Sequence, residues 1–188
     1  MRLETERLIL RPWEDRDRPA YAAIIGDPDV RRFFPRVGTP AEANEAINNA
    51  QARLRQYGIG FLAVERKEDG ALLGMLGMSP FQLPLRRIIH RCPPVEIGWQ
   101  LGQQYWGRGY APEGAAAMLH YAFSTLDIDE VGAVTFHGNF ASRRVMEKVG
   151  MTYDPLADFR NPSVPPGNWL KPHVLYRIKR PIRPWIPT

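Results

Sequence analysis

The feature that most constrains this chain is a pair of glycines set between a strand-like run and an amphipathic helix. Val95-Glu96-Ile97-Gly98-Trp99-Gln100-Leu101 reads as a strand and leads into Gln104-Tyr105-Trp106-Gly107-Arg108-Gly109-Tyr110-Ala111-Pro112. Beyond it, Ala115, Met118, Leu119, Ala122 and Phe123 recur at helical spacing and form one apolar stripe. Pro112 suits the first helical turn, where its missing N–H costs nothing. Glycines at such a junction let consecutive N–H groups converge, and the helix N-terminus adds partial positive charge, so the turn suits a phosphate or pyrophosphate. A Walker loop needs Gly-Lys-Ser/Thr, but Tyr110 follows Gly109; a dinucleotide fingerprint needs a small residue where Pro112 stands. Taken alone, the residues from Gln104 to Gly109 fit a plain glycine turn as well as they fit an anion site.

The rest of the chain reads as one unit, residues 1–180, followed by a tail, 181–188, with prolines at 181, 184 and 187. Leu8-Ile9-Leu10-Arg11 is a strand, with Pro12 at the sheet edge. Glu14 to Asp17 opens a helix through Tyr21, Ile24 and Ile25 that stops at Gly26. Thr39-Pro40-Ala41-Glu42 has the form of a helix start, and that helix carries Ala43, Ile47, Ala50 and Leu54 on one face as far as Gly58. Strands at 61–65 and 72–78 flank a hairpin ending in Asp69-Gly70. Residues 79–94 read as a basic loop. A strand at 131–136, a helix at 141–148, a strand starting at Met151, a Pro-rich excursion at 155–170 and a strand at 173–178 complete the chain. This order gives an α/β (α+β) fold with a single mixed sheet of about seven strands and about four helices, not a doubly wound nucleotide fold.

The charge of +5 and pI near 9.6 suit a polyanionic ligand or ordinary solubility. No long Lys/Arg block supports nucleic acid as a partner, and no apolar run is long enough for a membrane span. The N-terminus lacks the apolar stretch of a signal peptide. One cysteine, Cys92, excludes an intrachain disulfide, and the histidines form no metal spacing with it. The expectation is a cytoplasmic protein without a metal, with a homodimer left open.

Four motifs in order carry a resemblance: Leu8 to Trp13, Glu96-Ile97-Gly98-Trp99, Trp106 to Ala111, and Asn139-x-x-Ser142 with Glu147-Lys148-Val149-Gly150-Met151. Together they resemble the GNAT N-acetyltransferases, in the branch of the ribosomal-protein N-terminal acetyltransferases (RimJ/RimL-like), over nearly the whole chain. The resemblance implies the GNAT acyl-CoA N-acyltransferase fold, acetyl-CoA as co-substrate and an amine as acceptor. In that family acceptors include protein N-termini, polyamines, amino-sugar drugs and small metabolites.

The resemblance also implies residue roles. Glu96 to Leu101 becomes the family's bulged central strand, and the backbone at Trp99, Gln100 and Leu101 pairs with pantetheine and polarises the thioester. Gln104 opens the motif; N–H groups from Trp106 through Gly107, Arg108, Gly109, Tyr110 and Ala111 hold the pyrophosphate. Asn139 caps the next helix and contacts the cofactor, Phe140 packs near it, and Arg143 or Arg144 reaches the 3′-phosphate. Glu96 is the candidate general base, with His137 second. Many family members place a Tyr where Met146 stands here, so Ser142, one turn earlier, is the candidate donor to the leaving thiolate. The acceptor side is expected from the Asp27–Phe34 turn, the 79–94 loop and the 155–170 excursion. A non-catalytic acyl-CoA binder of the same fold, or a basic interaction module, are the competing classes.

Overall fold

The computed structural model describes residues 1–181; the expected tail falls almost wholly outside them. Strands β1 (Leu3–Glu4) and β2 (Leu8–Arg11) are followed by helices α1 (Asp17–Gly26) and α2 (Pro40–Tyr57), then β3 (Phe61–Arg66) and β4 (Leu72–Pro80). A short α3 (Leu85–Ile88) precedes β5 (Val95–Leu101), α4 (Tyr110–Ser124), β6 (Glu130–Phe136) and α5 (Phe140–Lys148). Strands β7 (Thr152–Tyr153), β8 (Phe159–Arg160) and β9 (Pro172–Lys179) end the described chain. They form one sheet in the order β1-β2-β3-β4-β5-β6-β9-β7, with β8 also on β9.

The expected single mixed sheet is present, with nine strands and five helices among the described residues beside the expected about seven and about four. The additions, β1, β8 and α3, are too short for hydrophobic periodicity to reveal. The long elements follow from their residues. Thr39 and Glu42 close a reciprocal capping box at the start of α2, and Gly58 ends that helix in a left-handed conformation. The α4 stripe of Ala115, Met118, Leu119 and Ala122 is buried against Leu8, Leu10 and Leu76 of the sheet. On the opposite face, Tyr21, Ile24 and Ile47 of α1 and α2 pack with Trp13.

The pairing of β5 decides where a ligand can enter. On one side β5 pairs with β4 in unbroken antiparallel register from Pro80↔Val95 to Gly74↔Leu101. On the other it meets β6 in parallel only at Val95↔Val131 and Glu96↔Gly132. Beyond that, β6 is occupied by β9 through Phe136↔His173, and the two central strands diverge. The expected bulge in β5 is absent: its register is continuous, and divergence alone exposes its edge. The one register shift in this part of the sheet lies in β3, between Val64 and Glu65.

A buried ion pair fixes α1 to this sheet. The Arg11 guanidinium forks onto Asp17, Nη1 to Oδ2 at 2.7 Å and Nη2 to Oδ1 at 2.9 Å, and its Nε donates to Glu65 Oε2 at 2.9 Å. Both Arg11 and Asp17 are 3% exposed. Removing one partner strands the other charge in the interior. Arg11→Ala should therefore lose roughly 3–5 kcal/mol of unfolding free energy in urea. A loss below about 1 kcal/mol, the range of a surface pair, would contradict this role.

Candidate active site

The gap between β5 and β6 opens into a cleft of about 700 Å³. Its floor is Ile97 to Leu101; one end is the glycine loop, one wall is α5, and the other is the turn after α1.

At the glycine end, Gln103–Tyr105 forms a 3₁₀ turn. The Trp106 N–H donates to Gln103 O at 3.0 Å, and the Trp106 indole donates to Leu101 O at 2.8 Å. Trp106 is therefore a wall residue whose amide is already used, which corrects its expected part as an N–H donor. Gly107 and Gly109 follow with φ of +73° and +83°, a region that residues with a Cβ avoid. Among the described residues the N–H groups of Gly107, Arg108 and Gly109 meet no protein acceptor, and those of Tyr110 and Ala111 lie in the first turn of α4, where helices leave N–H groups unpaired. Such an array fits a pyrophosphate. Arg7 braces the loop from behind: its Nη1 donates to Arg108 O at 3.0 Å, and its Nε donates to Glu113 Oε2 at 2.7 Å. The Arg108 and Gln104 side chains are exposed and do not line the cleft.

At the opposite end, Glu96 occupies the last paired position before the strands part. It stands across from Ser79 of β4, whose hydroxyl accepts from Arg53 Nη1 at 2.9 Å. Burial pushes the Glu96 carboxyl up to about 7, with Arg53 nearby opposing the shift. Glu96 is not itself a cleft-lining residue; Gly98, the next residue on its face of the strand, is. His137, the second expected base, is exposed beyond β6 and away from the cleft.

Along the α5 wall, Asn139 Oδ1 accepts the Ser142 N–H at 3.2 Å, the expected cap. Ser142 and Asn139 line the cleft, whereas Phe140 is 63% exposed and outside it. Arg143 also departs from expectation. It donates to the Tyr176 hydroxyl at 3.0 Å and to His137 O at 2.9 Å, which turns it toward β9. Arg144 and Lys148, one turn apart, line the cleft instead. A helix separates neighbours by about 100°, so only one arginine of the pair can face the ligand.

The remaining wall, where the acceptor side is expected, is lined by Asp29, Val30 and Arg32 to Pro35 and by Asn161, Ser163, Val164 and His173. Phe33 bridges the walls by its contact with Phe136, ring centroids 5.6 Å apart. The 79–94 loop does not take part: Phe81 and Ile89 anchor it against Ala157, Phe159 and Leu175 away from the cleft. No sequence pattern singles out His173 or Thr135, because nothing in the chain order brings the ends of β6 and β9 together. Burial lowers the His173 pKa, so the ring is neutral, its nitrogens lying 3.2 Å from Asn161 Nδ2 and 3.3 Å from Lys171 O. Among the described residues no group of three or more His, Cys, Asp or Glu is placed to hold a metal, and no helix is long and apolar enough to cross a membrane.

Comparison with known proteins agrees with this architecture. A family model described as an acetyltransferase (GNAT) domain matches residues 7–152. The Bacillus subtilis protein YkkB is 32% identical over 179 residues, 95% of each chain. The FsC-acetyl coenzyme A-N(2)-transacetylase of Aspergillus fumigatus is 30% identical over 95% of this chain and 76% of its own length. A solved GNAT-family acetyltransferase from Bacillus anthracis superposes with a TM-score of 0.77 at 26% identity, covering 96% of this chain and 99% of that one. The RimL ribosomal L7/L12 alpha-N-protein acetyltransferase, solved with coenzyme A, shares the fold at a TM-score of 0.72 and 18% identity, over 95% and 98% of the two chains.

The loop geometry leads to a direct test. A Cβ at Gly107 would meet open space and one at Gly109 only the Arg7 guanidinium tip, so positive φ rather than crowding demands glycine. Gly109→Val should turn the loop's N–H groups out of register and weaken acetyl-CoA at least about tenfold, ~1.4 kcal/mol. The strained backbone should also cost roughly 1–3 kcal/mol of stability. Unchanged calorimetric affinity for acetyl-CoA would contradict this part of the site.

Proposed function

Because this chain belongs to the GNAT acetyltransferase family, we propose that it transfers the acetyl group of acetyl-CoA to a primary amine, with both substrates held together in the cleft between β5 and β6. The observation that carries this reading is the fork itself. A free strand edge runs from a cluster of unpaired N–H groups at one end to a half-buried carboxyl of raised pKa at the other.

The edge at Trp99 and Leu101 lies beside the pantetheine arm, and its N–H groups polarise the thioester carbonyl as negative charge builds on oxygen; the backbone of Gln100, expected to share this part, is turned to Met75 of β4 instead. The N–H groups from Gly107 to Ala111 hold the pyrophosphate, and Arg144 with Lys148 reaches the 3′-phosphate. The amine enters between the Asp29–Pro35 turn and the Asn161–Val164 segment. Glu96 takes its proton, directly or through one water, since a base with a pKa near 7 is matched to neutral pH. A protein α-amino group or a small-molecule amine fits the open acceptor side. Residues 1–180 act as one catalytic unit, placed in the cytoplasm, where a lone thiol such as Cys92 stays reduced.

The test is acetyl-CoA turnover, followed by thiol release, against a panel of amines and N-terminal peptides. In the wild type the rate should rise with pH through about 7, as Glu96 ionises. Glu96→Gln should abolish that limb and lower kcat by ~10²–10⁴-fold. Stability moves the opposite way. The folded pKa lies above the ordinary 4.5, so the contribution of protonated Glu96 is fully present below pH 4.5 and is lost as pH rises through about 7. Glu96→Gln should flatten the melting temperature across that window. A near-normal rate and pH profile in Glu96→Gln would remove Glu96 from the mechanism, and acetyl-CoA binding without turnover of any amine would leave a non-catalytic acyl-CoA binder.

A further inference from the structure

We infer that the Thr135 hydroxyl, oriented by Asn139, donates a hydrogen bond to the sulfur of the acyl donor as the thioester breaks; this rests on the reading of the cleft given above. The cap of α5 fixes the orientation of the Asn139 amide. Asn139 Oδ1 accepts the Ser142 N–H, which fixes the oxygen end of the amide. The nitrogen end must then point the other way, and Nδ2 donates to Thr135 Oγ1 at 3.0 Å. A threonine hydroxyl has one proton to give. Thr135 accepts from Asn139 and donates to no group among the described residues. It is buried and it lines the cleft, so a partner for that proton has to come from the cleft.

The register sets the level at which the hydroxyl stands. Carried on one for one from Val95↔Val131 and Glu96↔Gly132, Trp99 faces Thr135 across the gap. From Ile97 to Leu101 the edge of β5 runs roughly 13 Å, at ~3.3 Å per step, within the reach of an extended pantetheine arm. With the pyrophosphate on the glycine loop beyond Leu101, the sulfur arrives near the Ile97–Trp99 level. That is the level of Thr135.

The chemistry balances without a strong acid. The amine nitrogen bonds to the acetyl carbon and loses a proton to Glu96, which passes it to water. The carbon–sulfur bond breaks, and its electron pair stays on sulfur. Thr135 shares its proton with the thiolate without giving it up, and solvent protonates the thiolate on release. Ser142 lines the cleft beside it, while Met146, also at the wall, has no proton to share.

Calorimetry with CoA and with desulfo-CoA, at alkaline pH where thiolate is present, tests the assignment. The wild type should hold CoA roughly tenfold or more tightly than desulfo-CoA, the scale of a hydrogen bond to a charged group. Thr135→Val keeps the shape without the hydroxyl; it should lose that preference with its desulfo-CoA affinity unchanged, and Thr135→Ser should restore it. In turnover, Thr135→Val should lower kcat with little change in KM for acetyl-CoA, the pattern of an interaction made mainly in the transition state. A preference lost in Ser142→Ala but kept in Thr135→Val would overturn the assignment in favour of Ser142. Equal wild-type affinity for the two ligands would overturn it while leaving the cleft reading intact, whereas failure to bind either would remove the cleft reading itself. If Thr135→Val does not fold, Ser142→Ala decides: the preference kept in it supports Thr135, and the preference lost in it overturns the assignment.

Discussion

Two parallel strands at the centre of this sheet are joined by only two residue pairs, and the rest of the site depends on that parting. Backbone N–H and C=O groups in a protein interior are nearly always paired, so a central strand with one open edge is unusual. Here the opening is enforced from both sides. Strand β4 holds β5 straight to Leu101, and β9 claims β6 along its whole length, so neither strand can bend to close the gap. What remains is an internal version of a sheet edge, which readily accepts an extended partner. A ligand with amide groups along a flexible arm meets that demand.

The walls of the gap are held by groups well away from it, near the start of the chain. The fork of Arg11 on Asp17 sets α1 against the sheet and, with it, the Asp29–Pro35 turn that lines the cleft. Arg7, joined to Glu113, holds the Arg108 carbonyl and so the back of the glycine loop. Thr5 adds a 2.5 Å bond to the same Glu113 carboxylate. A loop that must present several N–H groups at once needs such bracing, because each glycine adds backbone freedom that would otherwise blur the array.

Much of this was legible in the sequence wherever one local rule governed one local segment. The stripe on α4 and the helix start at Thr39 follow from residue type and spacing, the cap at Asn139 from its place before the next helix, and all three stand in the structure. The glycine loop was read as well, although its amide at Trp106 is consumed by the 3₁₀ turn before it. What was not legible depended on which face of an element a neighbour covers. Arg143 and Arg144 are adjacent, and only Tyr176, distant in the chain, draws the first away from the cleft. The basic 79–94 loop was expected at the acceptor side, but two apolar anchors, Phe81 and Ile89, hold it elsewhere. Thr135 and His173 became visible only once β6 and β9 were paired.

The central claim is that the open edge of β5 binds the acyl donor. Hydrogen exchange at individual amides, followed with and without CoA, tests it most directly. In the free protein the amides between Ile97 and Leu101 that face the gap should exchange quickly, while those paired with β4 are protected. On adding CoA, the gap-facing amides and those of Gly107 to Ala111 should become protected together. Protection confined to another surface, with CoA demonstrably bound and the β5 amides unchanged, would contradict the account.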